Sequence, residues 1–249
     1  MVEIKRGDLF QLGKHRLLCG DATSLVDVQK LMDGKVAEML FCDPPYNIHY
    51  SSQWRSDWRN KKDGTNNQVY GEIMHDFDFN YEQWFRIMET GIVKGSFYIT
   101  NIPKNFTVIY DWLNKYCKRD TTLIIWLKNN HTLSRTDYHH LHELIFFNRK
   151  PEGVWNGGRD QKDIWFVKQR NVNTYLHPTQ KPLRLVQKAI LNSSNPGDIV
   201  MDPFGGSGST LIASEQNERI CYSMELDPKY CETIINRWQE LTKKGAVKL

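Results

Sequence analysis

Long apolar runs are missing from the 249-residue sequence, and their absence excludes several classes of protein. No segment approaches the roughly 20 consecutive apolar residues that a membrane-spanning helix needs. The first ten residues, MVEIKRGDLF, lack the apolar stretch of a signal peptide. The sequence therefore predicts a cytoplasmic protein with no membrane partner.

Cysteine is also scarce, with five residues and no pair at CxxC spacing. An odd number of cysteines in a chain without a secretion signal predicts reduced thiols, buried as small apolar side chains. His139, His140 and His142 cluster, but no cysteine or acidic residue accompanies them at a spacing typical of metal sites. We therefore expect no metal ion and interpret these histidines as ordinary polar residues or nucleic-acid contacts.

Length and composition fit one domain over residues 1–249. Hydrophobic residues make up 40% of the chain and charged residues 25%, ordinary values for a globular protein with a sizeable core. The net charge of +4 is compatible with a polyanionic partner, although many enzymes carry a similar balance.

Strand and helix patterns alternate along most of the chain. A mostly parallel, doubly wound α/β sheet is the fold that such alternation predicts. Residues 149–176 are predicted as loop with one short strand, and Pro182 as the first residue of a helix. The predicted strands are 16–19, 36–42, 96–100, 122–127, 144–147, 198–201 and 219–224. The predicted helices are 24–32, 80–90, 104–117, 182–191, 208–216 and 228–241.

Two loops at predicted strand ends carry unusual residues. They are Asp43-Pro44-Pro45-Tyr46 and residues 202–210, DPFGGSGST. In a doubly wound sheet, ligands bind beyond the carboxyl ends of the strands, so both loops are candidates for the functional site.

The second loop places Gly205, Gly206 and Gly208 between a strand and a helix, where a ligand can approach the backbone. A phosphate-binding loop is excluded because no lysine follows Gly208, and the dinucleotide fingerprint GxGxxG is absent. A turn that holds S-adenosylmethionine and a tight turn without a ligand are the remaining interpretations. Glu225 favours the first, because an acidic residue at the tip of the next strand can accept both hydroxyls of a ribose. Asp227 is predicted to cap the final helix.

The first loop suits the activation of an exocyclic amine. The prolines remove backbone donors and stiffen the turn, which leaves the Asp43 carboxylate and the Pro44 carbonyl as acceptors. If both accept from the amine, its nitrogen lone pair becomes available for direct attack on a methyl group. Tyr46 would stack on a base flipped out of a duplex. A strand terminator without chemistry is the alternative, which the presence of the glycine turn in the same sequence disfavours.

Residues 49–63, HYSSQWRSDWRNKKD, interleave aromatic rings with cations. Stacking rings and cations together suit bases and phosphates, so we predict a DNA-contacting insertion over residues 49–76. The alternative is a surface loop that docks its tryptophans on the core. The predicted contacts are Trp54, Arg55, Trp58, Arg59, Lys61 and Lys62.

Together these motifs resemble the DNA amino-methyltransferases, which methylate adenine N6 or cytosine N4. DPPY at 43–46 matches their catalytic motif, and Asp202-Pro203-Phe204-Gly205-Gly206-Ser207-Gly208 resembles their FxGxG cofactor motif. The resemblance implies a Rossmann-like methyltransferase fold and S-adenosylmethionine as methyl donor. It nominates as cofactor contacts Asp21 in Leu18-Cys19-Gly20-Asp21, Thr179 and Lys181 in the segment HPTQKP, and Asp202, Phe204, Gly206, Ser207, Gly208 and Glu225.

The catalytic motif precedes the cofactor motif, as in the group called beta. In that group a target-recognition segment lies between the two motifs, which places it within residues 131–176. The resemblance implies double-stranded DNA as partner and makes a homodimer and a cognate restriction enzyme plausible. It covers most of the chain, but no family motif corresponds to residues 49–63.

Adenine N6 is the expected target, because DPPY occurs mostly in adenine enzymes of this family. Cytosine N4 stays open, since Asp43 can accept from either amine. RNA or protein acceptors are further alternatives, and a DNA-binding subunit without activity is one from another class. Methylation at cytosine C5 is disfavoured, because no Pro-Cys pair supplies the covalent nucleophile.

Overall fold

A computed structural model describes residues 3–48, 78–132, 137–168 and 180–249, which are built around one ten-stranded sheet. Five strands at its centre, in the order β2-β9-β8-β3-β4, run parallel. On one side β6, β5 and β7 extend the sheet, and on the other side β1 and β10. The strands are β1 Leu9–Leu12, β2 His15–Cys19, β3 Ala37–Cys42, β4 Val93–Asn101, β5 Thr122–Thr132, β6 His140–Arg149, β7 Ile164–Phe166, β8 Ile199–Asp202, β9 Ile220–Glu225 and β10 Val247–Lys248.

Helices follow most of the parallel strands, as the alternating sequence pattern predicts. Met88–Ile92 continues α2 as a wider π-helical turn, and Pro103–Asn105 forms a 3-10 turn before α3. Within the described ranges, no helix is both long and apolar enough to cross a bilayer. The α-helices are α1 Leu25–Met32, α2 Tyr81–Ile87, α3 Phe106–Cys117, α4 Leu183–Ser193, α5 Ser209–Gln216 and α6 Pro228–Thr242.

Polar side chains fix the starts of three helices. Ser24 Oγ accepts from the Asp27 amide, and Asn80 Oδ1 accepts from the Gln83 amide. Asp227, which accepts from the Lys229 amide, caps α6. The cap predicted at Asp227 is therefore confirmed, and all three side chains satisfy an amide that has no partner within the first helical turn.

The structure also corrects three predictions. Strand β1, Leu9–Leu12, was not predicted; it forms because a tight turn lets it pair antiparallel with β2. Pro182 precedes α4 as its N-cap with extended backbone and is not its first helical residue. Strands β5 and β6 extend beyond the predicted 122–127 and 144–147, since their polar ends remain paired with each other.

Side chains pack on both faces of the sheet. On β3, Met39 and Phe41 belong to one core cluster and Leu40 and Cys42 to another, because neighbouring side chains on a strand point to opposite faces. All five cysteines are free and buried, as predicted. A central strand covered on both faces is what the doubly wound fold requires.

Strand directions decide which residues reach the functional edge. The carboxyl ends of β3, β8 and β9 lie side by side there. Strand β6 runs antiparallel to β4, so its amino-terminal residues reach the same edge, where Leu144 pairs with Asn101. Strand β5 is antiparallel to β6 and therefore brings its carboxyl end to this edge as well.

Candidate active site

A cavity of about 300 Å³ lies at the carboxyl edge of the parallel strands. Asp43-Pro44-Pro45-Tyr46 forms one wall after β3, and the loop after β8 forms another. Strands β3 and β8 are hydrogen-bonded neighbours, so the two motifs meet although about 160 residues separate them in sequence.

The glycine loop makes a tight turn that packs against α6. The amide of Gly205 donates to the Met224 carbonyl at 2.7 Å, and the amide of Gly208 donates to the Gly205 carbonyl at 2.7 Å. Gly208 has a φ of 78°, and a Cβ there would lie 3.0 Å from Ile234. Glycine is therefore required at position 208 by both the backbone conformation and the packing.

Glu225, at the tip of β9, is held by the glycine turn. Its Oε2 accepts from the Gly206 amide at 2.7 Å and its Oε1 from the Asp227 amide at 2.9 Å. Burial raises the pKa of Glu225 to about 7, although these amides favour the ionised form. Each carboxylate oxygen has a further lone pair, so Glu225 can accept from ligand hydroxyls at the cavity.

Asp21 lies across the cavity from the glycine turn, immediately after β2. Its Oδ1 accepts from the amide and the hydroxyl of Thr23. The preceding Gly20 amide donates to the Glu225 carbonyl at 3.0 Å, which joins the ends of β2 and β9. Asp21 and Glu225 therefore line the same cavity from adjacent strand ends.

The Asp43 carboxylate accepts three hydrogen bonds. Its Oδ1 accepts from the hydroxyl of Tyr46 at 2.6 Å and from that of Thr100 on β4. Its Oδ2 lies 2.6 Å from Nζ of Lys181. Sequence reasoning nominated Lys181 for a cofactor carboxylate, whereas the structure places its ammonium on Asp43.

Two strands supply charged groups that sequence reasoning missed. Glu143 on β6 lies 3.3 Å from Nζ of Lys181 and 3.0 Å from Nζ of Lys128 on β5. Burial alone would raise the pKa of Glu143, but the two ammonium groups outweigh it and the net shift is downward. The sequence signal that could have found Glu143 was an ionisable residue directly before the apolar strand predicted at 144–147.

Backbone carbonyls of the DPPY loop differ in their hydrogen bonds. The Pro45 carbonyl accepts from the Tyr81 hydroxyl at 2.7 Å, and the Tyr46 carbonyl accepts from the Asn105 amide group at 3.0 Å. None of the hydrogen bonds among the described residues goes to the Pro44 carbonyl. The carbonyl predicted to accept from an amine is thus left open by its described neighbours.

Phe204 forms an aromatic wall of the cavity. Its ring contacts Phe79 edge-on at 5.3 Å and Trp84 at 5.4 Å between centroids. Phe79 is fixed by Asn47, whose side chain accepts from its amide and donates to its carbonyl. The residue after the DPPY motif therefore anchors this aromatic wall.

Among the charged side chains of the described lining residues, the acidic ones predominate. Lys181 is the single basic side chain in that set, and its ammonium is already bound to Asp43 and Glu143. A cationic ligand with several hydrogen-bond donors therefore suits the cavity better than a phosphate-bearing one. The acidic residues are Asp21, Asp43, Asp78, Asp202, Glu225 and Asp227.

Most nominated residues that the structure describes come together at this cavity. Gly208 is the exception, since it caps α5 behind the turn. Thr179 and the six predicted DNA contacts of segment 49–63 lie outside the described residues, as does part of 131–176. The lining residues are Asp21, Asp43, Pro44, Pro45, Tyr46, Lys181, Asp202, Phe204, Gly206, Ser207 and Glu225.

The fold and the cavity are those of an α/β protein with a ligand-sized cavity at the carboxyl ends of its parallel strands. The family model described as DNA methylase, of the N6/N4 type, matches residues 37–237. This match covers most of the chain, so the protein belongs to the N6/N4 DNA methylase family.

Two curated relatives are similar over most of their length. Type II methyltransferase M2.MboI of Moraxella bovis is 26% identical over 243 residues, covering 87% of this chain and 86% of the relative. DNA adenine methyltransferase YhdJ of Escherichia coli K12 is 25% identical over 259 residues, covering 89% and 81%.

Two solved structures share the fold. M1.HpyAVI in complex with SAM has a TM-score of 0.65 and 23% identity, covering 89% of this chain and 98% of the other. The cytosine-N4-specific PvuII DNA methyltransferase has a TM-score of 0.64 and 15% identity, covering 93% and 91%. The same fold thus occurs in an enzyme named for cytosine N4.

Proposed function

We propose that this protein transfers a methyl group from S-adenosylmethionine to the exocyclic N6 of an adenine flipped out of double-stranded DNA. The observation that carries the proposal is the pair of acceptors at the end of β3. The Asp43 carboxylate and the open Pro44 carbonyl face a cavity that suits a cation. The named adenine relative is consistent with the choice of base.

The carboxylates that line the cavity fit S-adenosylmethionine, which carries a sulfonium, an ammonium, a carboxylate and two ribose hydroxyls. Glu225 would accept from the ribose hydroxyls, and the acidic lining would offset the positive charges. Eight further residues are proposed to contact the cofactor or to support its site. They are Asp21, Thr179, Lys181, Asp202, Phe204, Gly206, Ser207 and Gly208. Bound there, the cofactor supplies an electrophilic methyl group.

The chain itself aligns and activates the amine. The two N–H groups would donate to Asp43 and to the Pro44 carbonyl, which frees the nitrogen lone pair. The stiff prolines keep both acceptors in place, so little reorganisation is needed during the reaction. Tyr46 would release Asp43 and stack on the incoming base, offsetting part of the cost of flipping.

Cytosine N4 is the second candidate, because its amine offers the same two donors to Asp43 and Pro44. The shared fold of the PvuII enzyme keeps this alternative open. Base choice would depend on the pocket around Tyr46 and on segments outside the described residues.

The test incubates the purified protein with radiolabelled S-adenosylmethionine and unmethylated DNA, followed by digestion to nucleosides. We expect label in N6-methyl-2′-deoxyadenosine from the wild type and none above background from Asp43→Ala. The variant should bind the cofactor with near wild-type affinity in calorimetry. Label in N4-methylcytosine would select the second candidate, and transfer at the normal rate by Asp43→Ala would refute the mechanism.

The partners and the remaining segments are part of the same proposal. Residues 49–76 would contact DNA through Trp54, Arg55, Trp58, Arg59, Lys61 and Lys62, and residues 131–176 would recognise the target. Substituting Arg55 and Arg59 by Ala should weaken DNA binding and reduce its salt dependence, measured by fluorescence anisotropy. A homodimer, a cognate restriction enzyme and a cytoplasmic location complete the proposed setting.

A further inference from the structure

Four charged side chains form a continuous chain that ends at the amine acceptor. From Lys128 the contacts run 3.0 Å to Glu143, then 3.3 Å to Lys181, and 2.6 Å to Asp43. The charges alternate and sum to zero. We name these four residues the buried charge chain, since Lys128 and Lys181 are 2% and 7% exposed and both carboxylates 17%.

Burial makes the contacts of this chain strong. Charges in a partly buried site are screened much less than on the surface, and a charge left unbalanced there is costly. Burial alone would lower the pKa of Lys181, but Asp43 and Glu143 outweigh it and the net shift is upward. Lys181 is therefore kept protonated by two carboxylates, of which only Asp43 belongs to the DPPY motif.

The sheet topology explains why these residues meet. Glu143 lies beside the functional edge because β6 runs antiparallel to β4, and its register neighbour on β5 is Trp126. Lys128 follows two residues after Trp126 on the same strand and reaches the same carboxylate. Among the described contacts, neither residue hydrogen-bonds Asp43 directly. Glu143 reaches Asp43 mainly through Lys181 and, at the longer distance of 3.5 Å, through the Tyr46 hydroxyl that donates to Asp43.

We propose that Glu143 and Lys128 are positioning residues for methyl transfer, which hold the Lys181 ammonium on Oδ2 of Asp43 and so fix the orientation of the carboxylate that accepts from the amine. This inference rests on the proposed function. With Lys181 on Oδ2, the amine is directed to Oδ1, where the Tyr46 hydroxyl sits in the described structure.

Neutralising Glu143 and neutralising Lys128 should shift the pKa of Lys181 in opposite directions. Glu143→Gln leaves a net charge of +1 and lowers the pKa of Lys181, because Asp43 alone then opposes burial. Lys128→Met leaves a net charge of −1 and raises the pKa of Lys181. In the double variant the charges again sum to zero, as Lys181 and Asp43 balance each other. The groups facing Lys181 are Asp43, Glu143 and Tyr46.

The experiment measures single-turnover methyl transfer to DNA, with cofactor and DNA saturating, at about pH 7.5 and about pH 9.5. We expect Glu143→Gln to be about tenfold slower than wild type at the lower pH, which corresponds to about 1.4 kcal/mol. It should lose further activity at the higher pH, where the wild type does not. Adding Lys128→Met to Glu143→Gln should restore part of both losses, a coupling that independent structural damage would not produce.

The matched control is Lys94→Met, which breaks an ion pair of 2.9 Å with Glu38 at the opposite end of β3. It should transfer methyl groups at the wild-type rate at both pH values. A single-turnover rate constant comes from the folded protein alone, so partial unfolding lowers the amplitude and not the rate constant or its ratio between the two pH values. This ratio keeps the test valid if Glu143→Gln is partly unfolded.

Three results separate the possibilities. Wild-type rates and ratio in Glu143→Gln would overturn the inference while leaving the proposed function intact. A weaker cofactor affinity with an unchanged saturated rate would also overturn it, because Lys181 would then serve the cofactor. A wild type that methylates no base would refute the proposed function itself.

Discussion

The Tyr46 hydroxyl donates a hydrogen bond of 2.6 Å to Oδ1 of Asp43, whereas Lys181 contacts the other oxygen, Oδ2. Burial raises the pKa of Tyr46 well above its ordinary value, with Asp43 and Glu143 adding to the shift, so the phenol stays protonated and donates. The hydroxyl of the ring proposed to stack on the base thus contacts the oxygen proposed to accept from the amine.

Substitutions at Tyr46 should separate the ring from the hydroxyl. Tyr46→Phe keeps the stacking surface and removes the competitor for Asp43, so we expect a transfer rate within about threefold of wild type. Tyr46→Ala removes stacking worth about 1–3 kcal/mol per base and should be at least about fivefold slower. Single-turnover transfer measures both, and an equal loss in the two variants would contradict the role of the ring.

The affinity for S-adenosylmethionine should increase from about pH 6 to about pH 8. Burial raises the pKa of Glu225 and that of Asp202 to about 7, so both carboxyls bind protons in the free protein at the lower pH. A cationic ligand favours their ionised forms, so binding releases protons and strengthens as pH rises. Calorimetry in two buffers of different ionisation enthalpy measures this release.

Glu225→Gln provides the control for that titration. It removes one of the two groups and should reduce both the number of protons released and the slope of affinity against pH. An affinity of the wild type that stays constant over this range would show that neither carboxyl changes its charge on binding.

Gly208→Ala should destabilise the protein by roughly 1–2 kcal/mol. The positive φ of 78° strains an alanine, and the new Cβ lies 3.0 Å from Ile234 on α6. Gly245→Ala is the control, because its Cβ meets no atom within 4 Å and its φ is not positive. Urea unfolding followed by circular dichroism gives both values, and equal stabilities would disprove the packing argument.

The buried His15 should make stability depend on pH. Its Nδ1 accepts from the Cys221 amide and its Nε2 lies 2.7 Å from Glu215, an arrangement of the neutral ring. Burial lowers the pKa of His15, although Glu215 opposes the shift. The unfolded chain then binds the proton first, so this contribution is present above about pH 6.5 and declines as pH falls below it.

His15→Gln isolates that contribution from the carboxyls with raised pKa, which act in the opposite direction. The difference in free energy of unfolding between wild type and variant should be largest above about pH 7 and shrink toward about pH 5.5. A difference that is independent of pH would mean that His15 titrates alike in the folded and unfolded chain.

Local sequence signals were sufficient for much of the fold. Apolar periodicity located the strands around Asp43 and Glu225, and side chains such as Ser24 and Asn80 marked helix starts through hydrogen bonds within one turn. Strand β1 escaped prediction, since four residues give too little periodicity and its pairing with β2 stabilises it.

The sequence by itself determined the two motif loops of the site, because strand, proline turn and glycine turn are encoded within a few residues. Only the tertiary structure decided that Lys181 contacts Asp43 and that Glu143 and Lys128 stand behind it. Those contacts follow from strand order and from the antiparallel direction of β6, which join residues up to 138 positions apart. The packing of the whole sheet sets the register between these strands, so no local sequence pattern predicts it.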